Sequence, residues 1–145
     1  MSTPSSDDPV ALWLLWKRAF EHVRAAVVAH VTAHSDLSES ELSVLIALRE
    51  AGGGARQSEV AAALGWDRTR LSHLLTRMET RELITRARDD RAVVVHLLPQ
   101  GRDALEALTP ALEAATRRHL ADRIAPTERA ALANALSALL RGQDS

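Results

Sequence analysis

Arg68, Thr69 and Arg70 stand in a row directly after Gly65-Trp66-Asp67, and Ser72, His73, Thr76 and Arg77 follow at helical steps. All seven side chains can donate hydrogen bonds. A guanidinium forks onto guanine O6 and N7, and short hydroxyls reach phosphates or base edges. The interleaved Leu71, Leu74, Leu75 and Met78 recur at three- and four-residue spacing. That period predicts a helix from Arg68 to about Arg81, apolar on one face and polar on the other. Asp67 is placed to cap it, and its positive N-terminal end adds to phosphate attraction. A second pair, Arg88 and Arg91, flanks Asp89-Asp90 a few residues on. The chemistry on offer is recognition of double-stranded DNA. The candidate DNA-binding residues are Asp67, Arg68, Thr69, Arg70, Ser72, His73, Thr76 and Arg77 on the helix, with Arg88 and Arg91 beyond it.

The charge distribution supports this choice. The 145 residues carry a net charge of −1, with 17 Arg and 1 Lys against 19 acids. Residues 1–55 sum to −3 (4 basic, 7 acidic), 56–91 to +2 (8 basic, 6 acidic) and 92–145 to 0 (6 of each). A generally basic nucleic-acid coat is excluded, while a local basic patch coincides with the candidate helix. A merely solvated Arg-rich face is the plainer reading, and the coincidence of charge with topology weighs against it. Zero cysteines exclude disulfides, thiolate zinc sites and Cys nucleophiles. With four aromatics and no Tyr, no base-stacking platform is expected. There is no Gly-rich phosphate loop, serine elbow or paired carboxylate, so neither an enzyme nor a cofactor is expected.

The elements that must position these residues can be read from periodicity. Residues 1–9 are rich in Ser, Pro and Asp and predict a disordered leader. From Val10 to about His34, apolar residues recur with helical period. Ser38 and Glu41 form a capping-box pair for a helix that Gly52-Gly53-Gly54 ends. Ser58 is expected to cap a short helix up to Leu64, and Gly65 to break it. Leu83–Ala87 and Ala92–Leu97 predict two strands around a four-residue tip, Arg88 to Arg91. A helix follows Pro99 up to about Arg123, and Pro126 opens a last one. The expected fold is mainly α with a small β-hairpin wing: a winged helix-turn-helix over 37–98. Residues 10–36 and 99–145 form a helical dimerisation region from both chain ends.

At these residues the chain resembles the MarR family of bacterial transcriptional regulators. The resemblance runs from about Leu37 to Gly101 and starts at Leu37-Ser38-x-x-Glu41-x-x-Val44-Leu45. It is most specific at Ser58-Glu59-Val60-Ala61, at Leu64-Gly65-Trp66-Asp67-Arg68-Thr69-Arg70-Leu71-Ser72-His73 and at Leu75-Thr76-Arg77-Met78-Glu79, a block similar to the family's actinobacterial branch. Asp89-Asp90-Arg91 matches the wing motif D-x-R. The resemblance implies an obligate homodimer on a pseudo-palindromic operator, usually a repressor, released by a small anionic or phenolic ligand. Four features depart from the pattern. Glu82 replaces a turn glycine, where a left-handed conformation costs roughly 1 kcal/mol, so a different turn is expected. Leu98 and Ala125 replace capping hydroxyls, and the wing is about three residues short.

The apolar stripes at both chain ends need a partner surface, and a second copy is the simplest one. Trp13, Trp16, Lys17 and Phe20 on the first helix read as dimer packing or as the wall of a pocket for a small aromatic or anionic effector, with Lys17 or Arg18 holding its carboxylate. The first is the plainer reading. His30 and His34 share a helix face, and with His119 they offer a zinc-responsive alternative. A solvated or packed histidine pair is the plainer account of these, and no metal is expected. A winged-helix interaction module that has lost DNA binding is the remaining alternative. The first sixteen residues hold no Lys or Arg, and the apolar run 10–16 is too short to span a bilayer, so a cytoplasmic protein without a signal peptide is expected.

Overall fold

The computed structural model describes residues 5–142. Its elements run α1 (Pro9–Thr32), α2 (Glu39–Glu50), β1 (Gly54–Arg56), α3 (Gln57–Leu64), α4 (Arg68–Thr80), β2 (Ile84–Asp89), β3 (Ala92–Leu97), α5 (Pro99–His119), a 3-10 turn (Ala121–Arg123) and α6 (Pro126–Arg141). This is the expected mainly α fold with a small wing. Among the described residues, no helix is long and apolar enough to cross a membrane. The chain divides into a central unit, Thr32–Pro110, and a terminal unit made of both ends.

The central unit is built around one apolar core. Val44, Leu45 and Leu48 of α2, Leu71, Leu75 and Met78 of α4, Ile84, Val95 and Leu105 are all essentially inaccessible to water. At α2 the Ser38 hydroxyl accepts from the Glu41 N–H at 3.1 Å, and the Glu41 carboxylate accepts from the Ser38 N–H at 2.9 Å. That reciprocal pair satisfies two otherwise free donors. Gly52 and Gly53 turn the chain at φ +83° and +106°. Gly54 lies in β1, an edge strand beyond the expected hairpin. The sheet is antiparallel in the order β1-β3-β2. Three residues of β1 carry no legible alternation, because their partner, β3, lies about forty residues away.

Other boundaries also shift. Of the expected leader, residues 1–4 lie outside the described residues, 5–8 form a turn, and Pro9 already belongs to α1. The Asp8 carboxylate accepts from the Val10 and Ala11 N–H groups and so caps α1. α3 starts at Gln57, one residue before the expected cap at Ser58, with Arg56 at the N-cap and no side-chain cap bond. The hairpin pairs further than expected: Arg88 lies opposite Val93 and Asp89 opposite Ala92, which leaves Asp90-Arg91 as the turn. Arg88 is thus a strand residue rather than part of a loop tip. The turn after α4 stays left-handed despite Glu82, which adopts φ +59°. The Leu83 N–H closes it by donating to the Met78 carbonyl at 3.0 Å, a Schellman-type bond that satisfies a helix-end acceptor. At α6 the Glu128 carboxylate accepts from the Ala125 N–H at 2.9 Å, half of a capping box.

The terminal unit contrasts in burial. Among its described residues only Val31 and Ala115 are buried apolar side chains, and α6 buries none. Val10, Leu12, Trp13, Leu14, Leu15, Trp16, Phe20, Leu120, Leu139 and Leu140 are all exposed.

Candidate nucleic-acid interface

Asp67 caps α4, its carboxylate accepting from the Thr69 N–H at 2.7 Å. The tight turn before it is made by Gly65 at φ +65°, and the Trp66 N–H donates to the Ala61 carbonyl at 3.0 Å. With Leu71, Leu74, Leu75 and Met78 buried, the helix turns Arg68, Thr69, Arg70, His73, Thr76 and Arg77 outward, and Ser72 is half-buried. Arg70 is laid on the Trp66 ring, its guanidinium carbon 4.6 Å from the centroid.

Arg68 and Arg91 come from α4 and the hairpin turn to line one open groove of about 340 Å³. Gln57 and Ser58 of α3 complete its wall. Arg91 also lines a second depression, with Arg56, Asp89 and Asp90. Arg88 lines a third with Gln57, Ser72 and Arg86. The start of α3 therefore joins the arginine surface, and Arg56, Gln57 and Ser58 are site residues beyond those expected from the sequence. Periodicity has no means of showing that β1 brings them beside the hairpin.

Arg86, on β2, is a further site residue that spacing along the chain does not reveal. Its guanidinium donates to Thr76 Oγ1 at 2.8 Å, to Glu79 Oε1 at 3.1 Å and more weakly to Ser72 Oγ at 3.5 Å. Its own backbone N–H donates to Glu79 Oε2 at 3.1 Å. These bonds hold the Glu79 carboxyl below the usual carboxylate range, the Arg86 side-chain hydrogen bond contributing most. Ser72 and Thr76 thereby turn their hydroxyls to the hairpin strand. One sequence signal was available: an acid in the last turn of a helix opposes the helix dipole unless it has a cationic partner. Arg81 makes a second tie, from the end of α4 to Glu41 and Asp36.

In the terminal unit, Trp16 and Phe20 stack at 6.2 Å and the Lys17 ammonium sits 5.4 Å from the Trp13 centroid. These four residues form an exposed strip on α1. The His30 and His119 rings meet edge to face at 6.4 Å, while His34 lies beyond the end of α1, in the central unit. Among the described residues, no three His, Asp or Glu side chains are placed to hold a metal ion. Burial and then the neighbouring Arg118, Arg123, His30 and His22 push the His119 pKa down.

Residues 32–98 match the model of a domain family of unknown function, DUF7343. Among curated proteins no sequence relative matches. Solved structures do. AbsC, a MarR family transcriptional regulator from Streptomyces coelicolor, is 26% identical with a TM-score of 0.81, covering 98% of this chain and 100% of its own. BpsR from Bordetella bronchiseptica, whose DNA binding is regulated by 6-hydroxynicotinic acid, is 27% identical with a TM-score of 0.73, covering 95% and 98%. Sco3205, a MarR family regulator from Streptomyces coelicolor solved in complex with DNA, is 19% identical with a TM-score of 0.83, covering 100% and 93%. The winged-helix fold of MarR family regulators is the fold of this chain.

Proposed function

We propose that this protein is a sequence-specific, double-stranded DNA-binding transcriptional regulator that works as a homodimeric repressor on a pseudo-palindromic operator. One observation carries the reading: the outward arginine face of α4 adjoins a hairpin bearing Arg88 and Arg91, in the only net-positive stretch of the chain. Helix α4 enters the major groove, and its first-turn residues meet base edges. Arg56, Arg68, Arg88 and Arg91 neutralise phosphates, while Ser72 and Thr76 hold the hairpin through Arg86. The exposed apolar strips of α1 and α6 pair two copies, placing two α4 helices on half-sites about 34–36 Å apart. A small aromatic or anionic effector releases the DNA, as the ligand control of BpsR suggests by likeness. The place of action is the cytoplasm, where bacterial DNA lies.

The test is fluorescence anisotropy with the gene's upstream intergenic DNA against a scrambled duplex, across a salt series. Specific binding exceeds non-specific binding by at least about a thousandfold and falls steeply with salt. Equal, weak binding to both duplexes that is unchanged in Arg70→Ala and Arg91→Ala favours an interaction module instead.

A further inference from the structure

The arginines around α4 are used in two ways. Arg81 and Arg86 spend their donors inside the protein, on Glu41 and Asp36 and on Glu79, Thr76 and Ser72. Arg70 is different: among the described residues its guanidinium has the Trp66 ring contact and no hydrogen bond or ion pair. Stacking engages the flat face of a guanidinium. Its five N–H donors lie in the plane and stay free to fork onto an acceptor pair. Trp66 is the one aromatic residue between Thr32 and Pro110, is half-buried, and immediately precedes the Asp67 cap. It offers a fixed platform to a side chain that otherwise samples many rotamers.

We propose that Trp66 positions Arg70 as the guanine-reading residue of α4, an assignment that rests on the DNA-binding role proposed above. An in-plane fork with both donors free matches guanine O6 and N7 in the major groove. Arg68, whose groove faces Arg91 and the start of α3, takes the phosphate part of the contact. The two neighbours thus divide affinity from specificity, and Trp66 is a positioning residue.

A large apolar residue before an N-cap also has an ordinary structural use, as a staple against the helix. Trp66→Leu keeps the apolar bulk and removes the π face, whereas Trp66→Phe keeps a π face. All proteins are compared on one operator duplex and on copies carrying 7-deazaguanine, which lacks N7, at single positions. In the wild type one position per half-site loses about tenfold or more in affinity. Arg70→Ala abolishes that sensitivity and leaves the salt slope nearly unchanged. Trp66→Leu weakens operator binding about two- to fivefold, with the loss confined to the sensitive guanine, and Trp66→Phe restores most of it. Wild-type behaviour of Trp66→Leu, with matching thermal unfolding, overturns the positioning role. An Arg70→Ala loss that is uniform across duplexes and lowers the salt slope by about one makes Arg70 a phosphate contact and overturns guanine reading. No preference of the wild type for operator over scrambled duplex overturns the DNA-binding role itself, and the assignment with it.

Discussion

The central unit and the terminal unit are assembled from similar apolar residues in opposite ways. In the central unit Leu45, Leu48, Leu71, Leu75 and Met78 are sealed from water by one another. In the terminal unit Trp13 is 57% exposed and Leu139 66%. Helical period is present in both, so periodicity alone does not distinguish a face that the chain covers itself from one that it leaves exposed. Burial makes that distinction. The central unit closes its own apolar core, and the terminal unit leaves large apolar side chains in contact with water.

Substitutions can break or sharpen this contrast. The largest effect belongs to the central core. Leu75→Ala should cost about 2–5 kcal/mol of unfolding free energy, because it leaves a cavity that the packed neighbours fill only in part. Urea denaturation should show the loss at every protein concentration. A change under about 1 kcal/mol would mean the core is looser than the structure indicates.

The terminal unit should respond in a different currency. Trp13→Asp with Leu139→Asp should weaken self-association by tenfold or more, about 1.4 kcal/mol, read by sedimentation equilibrium in the analytical ultracentrifuge. The wild-type melting temperature should rise with concentration and the variant's should not. A variant that stays dimeric would place the interface elsewhere.

A smaller effect tests the tie between α4 and the hairpin. Arg86 lowers the Glu79 pKa, so this pair stabilises the fold above the ordinary carboxylate range. That contribution fades as pH falls through the depressed folded-state value. Glu79→Gln should therefore be less stable than wild type at pH 7 by up to about 1 kcal/mol, since the pair is partly solvated. The gap should close in strong acid. A gap independent of pH would assign the loss to packing. The smallest expected change is a gain: Glu82→Gly should stabilise the protein by up to about 1 kcal/mol by relieving the left-handed backbone. Calorimetry showing a loss instead would mean that the glutamate side chain makes a compensating contact.

Local chemistry explains which features were legible beforehand. Ser38 with Glu41, Asp67 before α4 and Pro126 at the start of α6 each act within one helical turn, and the structure has all three. The outward face of α4 follows from its four buried apolar residues. The contacts of Arg86 cross from a strand to a helix, and Arg81 reaches Glu41 forty residues back in the chain. Spacing along a chain carries no trace of such pairings. The hairpin was legible as two strands but not in its turn, because backbone pairing of Arg88 with Val93 and Asp89 with Ala92 set the register.

By itself, then, the amino-acid sequence determined where α2, α4 and α6 begin, which faces are apolar and where positive charge gathers, since caps and periods act over a few residues. Only the tertiary structure decided that β1 brings Arg56, Gln57 and Ser58 beside the hairpin, that Arg86 is spent internally and that Arg70 rests on Trp66. Those outcomes depend on which surfaces meet once water is expelled from the core. That is a property of the packed chain rather than of any segment within it.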